Sequence, residues 1–108
     1  MIFKNGLSFK NSYLILKVKK NGLDESRFGF VISRKVSKKA VMRNKIKRRL
    51  SEIIRLRLKE IKIGLDLVLI SLPGAEKKNF FEIEESLLGL LERAKIISKE
   101  QNKKQKNV

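Results

Sequence analysis

The stretch Arg27–Arg55, "RFGFVISRKVSKKAVMRNKIKRRLSEIIR", changes its spacing of apolar residues partway along. Phe28, Phe30 and Ile32 alternate with other residues, and this period is typical of a β-strand that turns one face to a core. Beyond Lys39 the apolar residues recur every three or four positions, as in an amphipathic helix. The stretch therefore predicts a strand followed by a helix, each with one side against a core.

The predicted helix has an apolar side and a charged side. Its apolar stripe comprises Met42, Ile46, Leu50, Ile53, Ile54 and Leu58. At about 100° per residue, the opposite side carries Asn44, Arg48, Ser51 and Arg55, with Arg43 and Lys47 along its flank. We therefore expect the stripe to pack on a sheet and the charged side to face outward.

Positive charge dominates the chain and is concentrated around this helix. Its 108 residues include 27 Lys and Arg against 11 Asp and Glu, which gives a formal net charge of +16. Arg34–Lys62 holds thirteen of the basic residues and two acidic ones, whereas Phe80–Arg93 holds four glutamates and one arginine. This balance predicts a polyanionic partner and a molecule with polarised charge.

Neither a solvated helix face nor a helix on a membrane surface accounts well for this charge. A solvated face usually mixes charge signs four residues apart, but Arg43 and Lys47 carry the same sign and repel. A helix on a membrane surface has bulky aromatic residues at its boundary, and there are none between Ser33 and Asn79. The pattern therefore favours nucleic acid as the partner and predicts no membrane contact.

The composition also narrows the possible chemistry. The absence of cysteine and histidine excludes disulfides and thiolate metal sites and removes the commonest general base. No apolar run approaches the roughly 18 residues of a membrane span, and the first ten residues lack the apolar core of a signal peptide. We therefore expect a cytoplasmic protein with no catalytic side chains and no cofactor of its own.

Two strands are predicted ahead of the opening stretch. Leu7–Lys10 is short, and Tyr13–Lys19 alternates between an apolar face and a wetter face that carries Tyr13 and Lys17. Asn-Gly turn chemistry in Asn21–Glu25 then predicts a hairpin that pairs the second strand with the third.

The remaining elements follow the basic helix. Leu65–Ser71 is almost wholly apolar, as expected of a strand buried on both faces. A last helix is expected from about Phe80, with Asn79 as its N-cap and Glu82 completing a capping box. Its predicted buried side comprises Ile83, Leu87, Leu90 or Leu91, and Ala94. Residues 1–97 are predicted to form one domain, and residues 98–108 a basic, disordered tail.

Together these residues resemble the protein subunit of bacterial ribonuclease P. That family has a strand with Gly-x-x-x-Ser-Lys-Lys, followed by Ala-Val-x-Arg-Asn-x-x-Lys-Arg. The matching positions are Ser33, Arg34, Lys35, Ala40, Val41, Arg43, Asn44, Lys47 and Arg48. "FKNG" at Phe3–Gly6 and "LDLVLISLPGA" at Leu65–Ala75 are similar to flanking family motifs, whereas Ser51 and Leu72 replace family arginines. The resemblance begins at the first of these motifs, so the family's short N-terminal helix is not expected in this chain.

The resemblance implies a fold as well as a family. It implies an α/β (α+β) two-layer sandwich, like a ribosomal protein domain, with packed helices and a single central sheet of about four strands. The basic helix would join two parallel strands by a left-handed crossover. Right-handed crossovers are found in about 98% of cases, so the left-handed form rests on the resemblance alone.

The resemblance also implies a function. The catalyst of the particle would be its RNA subunit, which uses bound magnesium to hydrolyse the bond between a 5′ leader and a precursor tRNA. The protein would bind that RNA and help to hold the leader. The implied RNA-binding residues are Arg34, Lys35, Lys39, Arg43, Asn44, Lys47, Arg48 and Arg55. The implied leader contacts are Phe3, Tyr13 and Lys17.

Several alternatives stay open from sequence. Asn44 could instead cap the helix, and the lysines between the third strand and the helix could be merely solvated. Phe3 could fill the edge of the core, and the last helix could cover Tyr13. The same charge would also serve a structural RNA-binding protein of the ribosomal type with no part in cleavage.

Overall fold

Four strands and two helices make up the computed structural model, which describes residues 6–97. They are β1 (Leu7–Lys10), β2 (Leu14–Lys20), β3 (Arg27–Ile32), α1 (Ala40–Arg57), β4 (Leu65–Ser71) and α2 (Phe80–Arg93). Short 3₁₀ turns occupy Leu58–Glu60 and Ala75–Lys77. All six elements were predicted from sequence. The tail predicted for residues 98–108 lies outside the described residues.

The strands form one mixed sheet in the order β1-β2-β4-β3. β2 pairs with β1 and β4 in antiparallel fashion, whereas β3 pairs with β4 in parallel. The predicted hairpin between β2 and β3 is therefore wrong, because β4 lies between them. Leu67, Val68 and Leu69 of β4 are consecutive and buried, and only a central strand buries both of its faces.

The turn at Asn21–Glu25 forms locally but leads the chain across the end of the sheet. Asn21 Oδ1 accepts a hydrogen bond from Leu23 N at 2.7 Å, and Gly22 has a φ of 72°. The N–H of Asn21 then donates to the carbonyl of Gly64 at 2.9 Å, at the start of β4. The Asn-Gly signal thus predicted the turn correctly but not the partner strand.

The crossover from β3 through α1 to β4 joins two parallel strands, as the resemblance implied. Its handedness stays a prediction. Both helices pack on the same face of the sheet and leave the other face without a helix in the described residues. The two-layer sandwich is therefore confirmed.

The core lies between the helices and the covered face of the sheet. α1 buries Ile46, Leu50, Ile53 and Ile54, which confirms most of the predicted stripe. Leu58 is 51% exposed, so its assignment to the stripe is wrong. α1 ends at Arg57, and the 3₁₀ turn that begins at Leu58 no longer follows the angular spacing of the α-helix.

α2 begins and packs as its sequence predicted. Asn79 Oδ1 accepts from Glu82 N at 2.9 Å, and Glu82 Oε1 accepts from Asn79 N at 3.2 Å, which is a complete capping box. The buried residues of the helix are Ile83, Leu87, Leu90 and Leu91. Ala94 is the C-cap and only half-buried, because the chain turns there into the left-handed conformation of Lys95, with a φ of 59°.

Candidate nucleic-acid interface

The outward side of α1 presents most of the predicted RNA-binding residues. Its exposed polar side chains are Asn44, Lys45, Lys47, Arg48, Ser51 and Arg55. On the opposite side Ile46 and Leu50 are 1% and 0% exposed, so the division of the helix into two sides is confirmed. The 18 residues of α1 extend about 27 Å, enough to run beside several phosphates of an RNA strand.

The N-terminal end of α1 is unusually positive. Its N-cap residue, Lys39, makes no side-chain capping bond, and its first turn contains no acidic residue. The unpaired N–H groups of a first turn carry partial positive charge, to which the neighbouring lysines and arginines add. Asn44 lies in the second turn and is exposed, so the alternative in which it caps the helix is wrong.

The residues Ser33–Lys39, which we call the connecting segment, lead from β3 into α1. Val36 is 5% exposed and anchors this segment to the core. The side chains of Arg34, Lys35, Lys38 and Lys39 are exposed. Three of them, Arg34, Lys35 and Lys38, line a concavity of about 450 Å³ together with Arg43 of α1. The segment thus supplies the second basic part of the interface.

Not every basic residue of α1 is equally available to a partner. Arg55 donates twice to the carboxylate of Glu52, which lowers the pKa of that carboxyl and raises the pKa of the guanidinium. Arg49 donates to the carbonyl of Lys78 at 2.8 Å and so ties α1 to the loop before α2. By contrast, no carboxylate among residues 6–97 lies within ion-pair distance of Lys47 or Arg48.

The sheet face opposite the helices, which we call the open face, is mainly apolar with basic residues among the aliphatic ones. On this face Lys17 of β2 pairs with Val68 of β4. Two residues along the strands, Ile15 of β2, Ile70 of β4 and Val31 of β3 lie side by side across the sheet. Val31 is 47% exposed, and the side chain of Lys17 is half-buried. Lys17 therefore lies where the alternation in β2 predicted.

Tyr13 does not share the open face with Lys17, although the alternation argument placed it there. β2 begins only at Leu14, so the alternation does not extend to Tyr13. Its half-buried ring packs against the edge of the core, with the Lys78 ammonium 4.7 Å from the ring centroid. It also lines a small hollow with Glu82 and Glu85 of α2, which matches the alternative in which the last helix covers it. Phe3, the third predicted leader contact, lies outside the described residues.

An ion pair that was not predicted from the sequence lies at one end of the open face. Arg27 Nε and Nη2 lie 2.7 Å from the two carboxylate oxygens of Asp66, and Asn21 Nδ2 donates to Oδ1 at 3.0 Å. These hydrogen bonds, that from Arg27 first, lower the pKa of Asp66 to about 2. The one signal in the sequence was a single aspartate in the otherwise apolar strand β4.

α2 carries the acidic side of the molecule. The carboxylate of Glu82 lies 3.8 Å from the Lys78 ammonium, and that of Glu84 lies 4.0 Å from the Arg57 guanidinium. The basic residues thus belong mainly to α1 and the connecting segment and the acidic ones to α2, although two glutamates of α2 are paired with neighbouring cations; the polarisation of charge over the surface stays a prediction. A polyanion is attracted to the basic side and repelled from the exposed glutamates of α2.

Two further kinds of site are not found among the described residues. No three acidic side chains of residues 6–97 come close enough together to hold a metal ion. In the same part of the chain, neither helix has the length and apolar character needed to cross a membrane.

Comparisons with known proteins give a consistent result. The family model described as Ribonuclease P matches residues 1–95. The ribonuclease P protein component of Alkaliphilus metalliredigens is 37% identical over 98 residues, covering 91% of this chain and 87% of that protein. The corresponding component of Thermotoga maritima is 42% identical over 97 residues, covering 86% and 82%.

Solved structures agree with the sequence comparisons. The RNase P protein of Staphylococcus aureus superimposes with a TM-score of 0.82 at 31% identity, covering 90% of this chain and 88% of that one. The RNase P protein of Thermotoga maritima gives a TM-score of 0.78 at 41% identity, covering 85% and 86%. The likeness therefore includes both sequence and fold over most of each chain.

Proposed function

The chain belongs to the ribonuclease P protein family, and on this premise we propose that it is the RNA-binding subunit of a bacterial ribonuclease P. In this role it assists the endonucleolytic removal of the 5′ leader from precursor tRNA in the cytoplasm. The observation that carries the proposal is the continuous basic surface formed by the outward side of α1 and the connecting segment. Its partners are the catalytic RNA subunit and the leader.

The chemistry of the basic surface suits an RNA backbone. Arg48 presents a planar fork that matches two phosphate oxygens, and Lys47 presents a compact charge. Asn44, on the same exposed side, offers both a donor and an acceptor to a ribose hydroxyl or a base edge. Neutralising phosphates releases counterions, so binding by this surface weakens steeply as salt rises.

We assign the leader to the open face of the sheet. Ile15, Ile70 and Val31 offer an aliphatic surface to unpaired bases, and Lys17 adds a phosphate contact. Tyr13 is a second candidate at the rim, where it is only half-buried. The leader is then held on one side of the sheet while α1 contacts the catalytic RNA on the other.

The protein in this proposal contributes binding rather than a reacting group. The RNA subunit, with its magnesium, carries out hydrolysis of the phosphodiester between leader and tRNA. Two RNA molecules repel each other as they approach, and a subunit with a net charge of +16 reduces that repulsion. The benefit is greatest when few magnesium ions are present to do the same.

Reconstitution tests the proposal. A bacterial ribonuclease P RNA is incubated with a 5′-extended tRNA at low magnesium, with and without the protein, and the 5′ leader released is measured. We expect faster cleavage with the protein, and a smaller gain with the double variant Lys47→Ala, Arg48→Ala. The matched control, Lys20→Ala with Lys77→Ala, removes the same charge from exposed side chains beyond the basic surface.

No gain in cleavage from the wild-type protein, together with tight binding to ribosomal RNA, would contradict the proposal and favour a structural RNA-binding role. An equal loss of activity in both double variants would mean that net charge alone, and not the surface of α1, produces the effect.

A further inference from the structure

Among the described residues, Arg43 is the one basic residue of α1 whose side chain is hydrogen-bonded to the connecting segment. Its Nη1 donates to the carbonyl oxygen of Ser37 at 2.9 Å, and its side chain is half-buried. Arg43 thus spans the junction between the connecting segment and the first turns of α1. A guanidinium has five N–H donors, so one bond to Ser37 leaves others for a ligand.

The two halves of the connecting segment are held differently. Its first half is fixed by the buried side chain of Val36, whose N–H also donates to the carbonyl of Ser33 at 3.1 Å. The second half has no buried side chain. Its Lys39 carbonyl accepts from Arg43 N at 3.1 Å, and its internal bond from Lys39 N to Ser37 Oγ is long, at 3.2 Å. Within residues 6–97, Arg43 is the only side chain outside the segment that hydrogen-bonds to it.

This tether opposes a specific repulsion. Arg34, Lys35 and Lys38 line the same concavity as Arg43, and the part of the chain that the structure describes places no carboxylate in its lining. Like charges gathered in this way favour a more open segment, unless an anion binds among them or a bond holds the backbone. The hydrogen bond from Arg43 to the Ser37 carbonyl holds the backbone in this way.

We propose that Arg43 is a positioning residue, which holds the connecting segment in the shape that lets Arg34, Lys35 and Lys38 bind one stretch of RNA backbone together. This inference rests on the proposed function for its ligand, a chain of backbone phosphates. It distinguishes Arg43 from Arg48, which lies five residues further along the same helix and has no bond to the connecting segment. The two arginines therefore form a matched pair for a test.

The first measurement uses the free protein. Heteronuclear ¹⁵N relaxation at Ser37–Lys39 reports the order of the second half of the segment. We expect Arg43→Ala to lower the heteronuclear NOE there, and Arg48→Ala to leave it unchanged. Arg93→Ala is a further control, because Arg93 also donates to a main-chain carbonyl, that of Lys10 at 2.9 Å, far from the segment. An unchanged NOE in Arg43→Ala would overturn the inference, whatever the protein does with RNA.

The second measurement is the salt dependence of affinity for a ribonuclease P RNA. Loss of one phosphate contact flattens the plot of log affinity against log salt by about 0.7 to 0.9. Arg48→Ala is expected to show this change, and Arg43→Ala at least twice as much, because the contacts of the segment are lost with it. A change of a single contact for Arg43→Ala would also overturn the inference.

Arg43→Lys separates charge from position. It keeps the positive charge but replaces the planar fork by a single ammonium. If Arg43 is a positioning residue, the NOE at Ser37–Lys39 and the slope of log affinity against log salt change together in this variant: where the NOE is lowered, the slope is flattened. A wild-type slope with a lowered NOE would mean that Arg43 is a simple phosphate contact. Failure of the wild type to bind the RNA would instead overturn the proposed function, with the NOE result still valid.

Discussion

Arg27 and Asp66 lie opposite each other on the parallel strands β3 and β4, and their side chains form a two-point ion pair with both N–O distances at 2.7 Å. The bond joins the edge strand of the sheet to its centre. It also gives Arg27, at the end of the open face, a partner within the protein. Asp66 thus adds a side-chain bond to the main-chain pairing of β3 with β4 and compensates the charge of Arg27 at this end of the open face.

Asp66→Asn should make stability less sensitive to acid. The carboxylate form of Asp66 is favoured in the folded protein, because its pKa of about 2 lies below the ordinary value of about 3.9. The stabilisation is therefore present above pH ~4 and lost as the pH falls through about 2. Denaturant unfolding of the wild type and of Asp66→Asn between pH 7 and pH 2 measures the free energy of unfolding of each protein. We expect the wild type to be more stable at pH 7 and the two curves to converge in acid; parallel curves would contradict the assignment.

Ile46→Ala should unfold the protein more easily. Ile46 is 1% exposed at the centre of the stripe of α1, and a buried large-to-small change of this kind costs about 2–5 kcal/mol. The neighbouring Lys47→Ala serves as the control, since an exposed substitution changes the free energy of unfolding by no more than about 0.5 kcal/mol. Urea unfolding monitored by circular dichroism compares them. Equal midpoints for the two variants would mean that α1 packs through a different side.

Ser71→Ala should stabilise the protein. Ser71 is 2% exposed, and its hydroxyl has no hydrogen-bond partner among the described residues. Removing a buried hydroxyl without a partner is expected to gain on the order of 1 kcal/mol. Ser26→Ala is the contrasting variant, because Ser26 Oγ donates to the Lys62 carbonyl and accepts from Leu65 N. In thermal unfolding, we expect a higher melting temperature for Ser71→Ala and a lower one for Ser26→Ala than for the wild type. A lower melting temperature for both variants would mean that the Ser71 hydroxyl has a hydrogen-bond partner.

Sulfate should stabilise the free protein more than chloride does at the same ionic strength. The concavity beside the N-terminus of α1 gathers positive charge, and an anion bound there stabilises the folded state by mass action. Sulfate also strengthens burial in general, so a variant is needed to separate the two effects. The double variant Lys35→Ala, Lys38→Ala separates them, and its melting temperature in each salt is compared with that of the wild type. The additional gain from sulfate should shrink in the double variant; an equal gain would indicate a general salt effect only.

Lys17→Ala should weaken the preference for tRNA that carries a leader. Lys17 lies on the open face, where we place the leader, and away from α1. The measurement is the ratio of holoenzyme affinities for 5′-extended and mature tRNA, with Lys77→Ala, in the 3₁₀ turn before α2, as an exposed control. We expect a lower ratio for Lys17→Ala and unchanged affinity for the catalytic RNA. Tyr13→Ala tested in parallel shows whether the rim of the sheet takes part; an unchanged ratio for Lys17→Ala would remove the open face from the leader site.

The basic surface could be predicted largely from residue spacing. The exposed positions Asn44, Lys47 and Arg48 follow from the angle between residues on a helix, once Ile46 and Leu50 are assigned to the core. Spacing does not show which of the charges are already bound to something. The bonds of Arg43 to Ser37 and of Arg49 to Lys78 appear only when the loops are folded against α1.

The sequence alone determined the six elements, the N-cap of α2 and most of the sides that the elements bury. Those features depend on residues a few positions apart, such as Asn79 and Glu82, so the local spacing already contains them. The tertiary structure alone decided the strand order, the pairing of Arg27 with Asp66 and the direction in which Tyr13 packs. Each of these joins residues far apart in the chain. The strand order and the pairing of Arg27 with Asp66 arise because β4 buries both of its faces between β2 and β3.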